Sequence, residues 1–118
     1  MAYDTELANR IRELLAPLGG VEVGAPPAVE EKPMFGGLAF LIAGNMAVAA
    51  SGQGGLLVRV PPQDTDKLLG RAHVSAMVMA GREVRGWLRV AGAGVKTKRQ
   101  LRSWVARGAD YARSLPPR

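Results

Sequence analysis

Residues 34–46 read MFGGLAFLIAGNM, and three structures suit a glycine-flanked apolar run of this kind: a phosphate loop, a membrane segment or a core hairpin. A Walker-type loop needs Lys and then Ser or Thr after its glycines, and neither follows here. A membrane helix needs about 18 or more apolar residues, and Gly44-Asn45 interrupts the run well short of that. A hairpin fits. Two apolar runs flank Gly44-Asn45, and Gly tolerates the positive φ of a tight I′ or II′ turn. Counting outward from a Gly44-Asn45 turn pairs Ala43 with Met46, Ile42 with Ala47, Leu41 with Val48 and Phe40 with Ala49. Residues 38–43 then lie antiparallel to 46–51. Leu38, Phe40 and Ile42 oppose Ala47, Ala49 and Ser51 on one face. Ala39, Leu41, Ala43, Met46 and Val48 make the other. Both faces are apolar, so both call for cover, by helices on one side and a second subunit on the other. Gly36-Gly37 marks a bulge or a close approach of another backbone.

Upstream, Asp4 or Thr5 caps a helix whose apolar face is Leu7, Ile11, Leu14, Leu15 and Leu18, ended by Pro17 and Gly19-Gly20. Residues 21–29, with Pro26-Pro27, read as a loop. Downstream, residues 52–55 turn into a strand, LLVRV (56–60), which Pro61-Pro62 ends. PQDTDKLLG is a short helix with Pro62 in its first turn, Asp64 and Asp66 at its positive end, and Gly70 as its stop. VSAMVMA and EVRGWLRV are two more strands around Gly81. In the second, Val84, Gly86, Leu88 and Val90 share a face opposite Arg85, Trp87 and Arg89. A final helix from about Thr97 to Leu115 buries Leu101, Trp104, Val105, Gly108, Ala109 and Ala112. Gly108 costs such a helix roughly 1 kcal/mol against Ala, which points to close packing there. The order expected is α-β-β-β-β-α-β-β-α, an α+β fold with a mostly antiparallel sheet and its helices on one face.

The 118 residues make one domain, large enough for a core without covalent staples. Cysteine is absent, which removes disulfides, thiol catalysis and cysteine zinc sites, and the single His73 stands in a loop. No Ser-His-Asp set or cofactor loop is present, so the expectation is a non-enzyme with no metal and no cofactor. The N-terminus carries no signal-peptide pattern, which makes the cytoplasm the expected location and a membrane association unexpected. Charge is uneven. Residues 1–58 hold three Lys/Arg against six Asp/Glu, a net −3, whereas residues 59–118 hold thirteen against four, a net +9. Lys98, Arg99, Arg102 and Arg113 lie to one side of the last helix's buried stripe, a placement suited to phosphates. Low aromatic content leaves few stacking platforms for nucleic acid. The candidates for binding a ligand or partner are Lys32, Phe35, Arg59, Arg85 and Trp87, on or beside strands. Arg59 is expected to reach solvent or to pair with an acid such as Glu31.

YDTELANRIRELLAPL, EKPMFGGLAFLIAGNM, LLVRV, GREVRGWLRV and WVARGADYARSLPP follow one another in an order and spacing that resembles the TfoX N-terminal domain family. The resemblance covers nearly the whole chain. Its most specific pieces are Met34-Phe35-Gly36-Gly37, Gly44-Asn45-Met46 and Gly81-Arg82 with Gly86-Trp87. It implies an α+β fold of the secretion-chaperone type and a stand-alone form of a domain that longer competence regulators join to a helical one. Pro33 and Glu83 depart from the Lys or Arg and the Pro that the family leads one to expect. Ala47 stands where relatives often carry Cys. The function expected is therefore an interaction module, regulatory by resemblance, acting on a protein partner or as a homodimer. The rival expectation is a nucleic-acid-binding regulator that uses the basic half.

Overall fold

A computed structural model describes residues 3–16, 29–34 and 36–116. Helix α1 spans Thr5–Leu15. Asp4 caps it: its Oδ1 accepts from the backbone N–H groups of Glu6 at 2.9 Å and Leu7 at 3.1 Å, filling donors that a first helical turn leaves open. The expected stop at Pro17 and Gly19-Gly20, and residues 21–28 of the expected loop, lie outside the described residues. Val29 opens the sheet.

Six strands follow: β1 Val29–Met34, β2 Gly37–Ile42, β3 Asn45–Ala50, β4 Leu56–Arg59, β5 Val74–Met79 and β6 Arg82–Val90. Every pairing is antiparallel, and the spatial order is β1-β2-β3-β4-β6-β5. Strands β1 to β4 form a meander. Between β4 and β5 lie one 3-10 turn, Pro62–Asp64, and helix α2, Thr65–Leu69. Helix α3, Lys98–Ser114, closes the fold. The element order and α+β class match the expectation from sequence.

Helix α3 begins on a capping box. Thr97 Oγ1 accepts from the Gln100 N–H at 3.1 Å, and Gln100 Oε1 accepts from the Thr97 N–H at 3.0 Å. Thr97→Ala is expected to cost about 1 kcal/mol. A urea titration checks this through a lower midpoint at unchanged slope.

The main core lies between the sheet and its helices. Leu7, Ile11 and Leu15 of α1 and Leu101, Trp104, Val105, Ala109 and Ala112 of α3 pack on Leu38, Phe40, Ile42, Val48, Val58, Leu88 and Val90. Arg10 fastens α1 to the approach to α3, donating to the carbonyls of Val95 and Lys96 at 3.1 Å each.

The central hairpin forms, but its turn and register differ from the expectation. The turn residues are Ala43 and Gly44, not Gly44 and Asn45. Both have positive φ, 51° and 82°, as a type I′ turn requires. Ile42 therefore pairs with Asn45 and Leu41 with Met46; Ala47 is then skipped, and Phe40 pairs with Val48. Ala47 is a bulge, one extra residue on β3. Below it the faces are exchanged relative to the expected count. Val48 joins Phe40 in the helix-side core, and Ala49 turns to the far face. Asn45 is the buried first residue of β3, and its Nδ2 donates to the Pro116 carbonyl at 2.9 Å. The β5–β6 hairpin repeats the device, with Ala80 and Gly81 at φ 52° and 78° and Met79 paired with Arg82.

Two glycines meet other backbones. A Cβ on Gly37 would lie 1.9 Å from the Ala50 carbonyl oxygen, and one on Gly108 would lie 2.5 Å from that of Ala47. The Gly36-Gly37 pair is thus a place of close approach, as read from sequence, and Gly108 seats α3 against the β3 bulge.

Candidate interaction surface

Among the described residues no helix covers the second face of the sheet. Ala39 and Leu41 of β2, Ala49 of β3, Leu57 of β4 and Met77 of β5 form a second apolar cluster there, with Met34, Met46 and Trp87 packed half-buried against it. Cross-strand register assembles it: Leu57 lies opposite both Ala49 and Arg89, and Lys32 opposite Ala39. Small residues at Ala39 and Ala49 let the larger ones close over them. The expectation of two apolar faces holds. The far one is sealed in part by the chain's own methionines and tryptophan. Thioethers on unbranched stems re-pack readily around different partners, and a Trp at a partly wet site supplies a large contact area.

Arg89 crosses the end of this face. Its guanidinium donates to the Gly54 carbonyl at 3.3 Å and to Ser51 Oγ at 3.2 Å. Ser51 Oγ also accepts from the Gln53 N–H at 3.1 Å, so the turn before β4 and the arginine hold each other. Lys32 is exposed at the opposite edge.

The other candidates are scattered. Phe35 lies outside the described residues. Arg59, the last residue of β4, does not pair with Glu31; its guanidinium stacks over the Tyr111 ring of α3 at 5.6 Å. Arg85 stands two residues before Trp87, but the intervening Gly86, whose φ is 89°, breaks the strand's alternation and parts them. Arg85 instead contacts Asp66 at 3.3 Å and the Pro62 carbonyl at 3.1 Å, bracing α2. His73 is exposed in a left-handed turn, and its carbonyl accepts from the Ala91 N–H. Lys98, Arg99, Arg102 and Arg113 are all exposed on α3. Arg102 and Arg113 line a shallow groove of about 190 Å³ between α3 and Leu14-Leu15 of α1, and Lys98 lines its continuation beside Arg10 and Glu13. Among the described residues these four make none of the hydrogen bonds or ion pairs that occupy Arg10, Arg12, Arg85 and Arg89.

Glu31 pairs with Arg12, which joins β1 to α1 through two short contacts, Nε to Oε2 at 2.6 Å and a terminal nitrogen to Oε1 at 2.7 Å. The Arg12 hydrogen bond holds the Glu31 carboxyl below its ordinary value of 4.5. A carboxyl depressed in the folded state adds stability that is present above its unfolded pKa and lost as pH falls through the folded one. Both side chains are more than a third exposed, so the contribution is under about 1 kcal/mol. Glu31→Gln is expected to lower stability slightly at neutral pH and not at all well below pH 4. Urea midpoints of the two proteins across that range check it.

Met46 is already read from sequence on the second apolar face and Arg89 on the face of Trp87; the missed members of the surface are Met34, Leu57 and Met77. Only their alternation with core residues could have marked them, and joining them requires knowing that β4 lies beside β6. Among the described residues no cluster of His, Asp or Glu could hold a metal, and no helix is long and apolar enough to cross a membrane.

A two-layer α+β domain with helices on one side of an antiparallel sheet and a methionine- and tryptophan-lined surface on the other is the class these features define. The chain belongs to the TfoX N-terminal domain family, whose model matches residues 13–112. Comparison with curated proteins and with solved structures gives no match.

Proposed function

We propose that this protein is a small cytoplasmic interaction module, regulatory by its family's association with bacterial competence, that binds a protein partner or a second copy of itself through the open face of the sheet. One observation supports this above others. Met34, Met46 and Trp87 lie half-buried over an apolar cluster on the face that no helix of the described residues covers. Interfaces favour Trp and Met at such places and draw their energy from a few of them.

The test is photo-crosslinking in the native cell. A crosslinker at Met46 should capture a discrete protein or a second copy, while one at the exposed Ser103 of α3 should not. Sedimentation at micromolar concentration separates the two occupants, since the monomer has a mass of 12.5 kDa. Turnover of a substrate that is lost on replacing Lys32, Arg59 or Arg85 would overturn the reading.

The exposed, unengaged Lys98, Arg99, Arg102 and Arg113 favour a second reading, nucleic-acid binding through α3. It predicts a gel shift at low salt that weakens steeply as salt rises and is lost in a Lys98→Ala, Arg102→Ala double variant. No shift at low salt removes it.

A further inference from the structure

The two edges of the sheet are built differently. β1 carries Glu30, Glu31 and Lys32 in a row and then Pro33, which has no N–H to offer an incoming strand. Charge and proline are how natural sheets blunt an edge. At the other edge, β5 reads Val-Ser-Ala-Met-Val-Met, with no charge and no proline. It is the last strand of the sheet, so among the described residues one side of its backbone has no strand neighbour. Val78 and Met79 are the exposed large hydrophobic residues of the described chain, at 59% and 45%. Beside them an open depression of about 410 Å³ is lined by Leu57, Ala76, Met77, Val78, Met79 and Arg89. The unblunted edge thus runs straight into the open face.

The charge around this edge selects what can lie on it. Arg71 precedes β5, Arg82 lies opposite Met79, and Arg89 lies opposite Ser75. Glu83, opposite Val78, is the chain's single acidic residue between Asp66 and Asp110. A second β5 laid antiparallel about its own centre would bring the end of one copy that carries Arg71, just before β5, near the end of the other that carries Arg82, at the start of β6. Like charges brought near one another at both ends disfavour that association.

We propose that β5 is a strand-addition site for an extended apolar segment of a partner protein, flanked by acidic residues at both ends. The proposal rests on the interaction-module reading and adds to it the edge, the backbone conformation and the charge of the partner. The segment's main-chain groups pair with the free side of β5. Alternate side chains enter the depression beside Met77, and the acidic ends meet the exposed Arg82 and Arg71, the latter's guanidinium also lying over the Trp104 ring at 5.7 Å. In this mode backbone hydrogen bonds supply affinity and alternate pockets supply specificity.

The probe is a labelled synthetic peptide with an alternating Val-Ile core of four residues and two aspartates at each end. Fluorescence anisotropy follows its binding, and amide hydrogen exchange follows β5. Binding is expected with Kd on the order of 10–100 µM, with slowed exchange confined to β5 and its neighbour. Exchanging the aspartates for lysines, N-methylating alternate core residues, or introducing Val78→Asp should each weaken binding about tenfold or more. Val78 is exposed, so Val78→Asp should leave the melting temperature nearly unchanged. Three results would overturn the proposal: no binding up to about millimolar peptide, equal binding of the lysine-ended peptide, or full binding of both N-methylated series. So would a dimer of the chain alone that Val78→Asp splits, because the edge would then belong to a second copy. An open-face crosslink to a partner that leaves β5 exchange unchanged would keep the wider reading and remove this one.

Discussion

Gly108→Val is expected to be the most damaging single substitution on the surface of contact between helix and sheet, costing roughly 3 kcal/mol or more. A Cβ at this position would stand 2.5 Å from the Ala47 carbonyl oxygen and 2.9 Å from Val48 Cγ1. The first of these is backbone in the centre of the sheet and cannot rotate away. Replacing Gly in mid-helix normally gains up to about 1 kcal/mol of helix propensity, so the clash must outweigh that gain. Relief requires α3 to lift from β3, which strips cover from Phe40 and Val48. At about 4 °C per kcal/mol for a domain of this size, the melting temperature should fall by more than about 10 °C. Ala106→Val, two residues away and exposed, is the control and should cost only a few tenths of a kcal/mol. A Gly108→Val protein that melts with its parent would show that the helix does not sit on the bulge.

Phe40→Ala should cost about 3–5 kcal/mol, a transfer loss plus the cavity left behind. Phe40 heads the fully buried side chains at 0% exposure. It pairs with Val48 across the hairpin and with Glu31 across β1, and rigid strands on both sides hinder collapse into the space. Native stability is typically about 5–15 kcal/mol, so this one change removes a large share of it. Urea unfolding should show the midpoint drop at constant slope. Phe40→Leu keeps most of the volume and should cost under about 2 kcal/mol. Equal losses for the two variants would mean that Phe40 is not enclosed as described.

The elements were legible because their signals are local. Helical spacing from Leu7 to Leu15 and from Leu101 to Ala112 marks the two long helices, and Asp4 and Thr97 mark where they begin. The α+β class and the near-complete family resemblance follow from that order. The register of the central hairpin was not legible. Gly44-Asn45 is the better turn dipeptide by propensity, and nothing local says that Ala43 takes a positive φ instead. What selects the other turn lies far along the chain: the Asn45 side chain is held by the Pro116 carbonyl, and the Ala47 bulge sits under Gly108. The candidate surface was half legible. Trp87 and Lys32 were singled out correctly as members of strands, but Arg85 was grouped with Trp87 on alternation that the Gly86 backbone breaks. Arg59 was expected to reach solvent or to pair with an acid such as Glu31, and it is half-buried with its guanidinium over the Tyr111 ring. The methionines of the open face, Met34, Met46 and Met77, sit on three different strands, and only the β4–β6 adjacency brings Met77 to the other two.

The order in which the chain leaves the ribosome gives the seat of α3 a further meaning. Helix α1 and then strands β1 to β4 emerge before α3, and the strands can pair as a meander from contacts close in sequence. The helix that covers Phe40, Val48 and Val58 is the last element made. Synthesis adds about 5–20 residues per second, so for seconds the meander has only α1, of the two long helices, to cover its helix side. Its first edge, β1, emerges already carrying Pro33 and three charges, and it is the edge exposed throughout that interval. The blunted strand is therefore the one that the nascent chain shows longest, while the unguarded β5 appears only shortly before the helix that completes the fold.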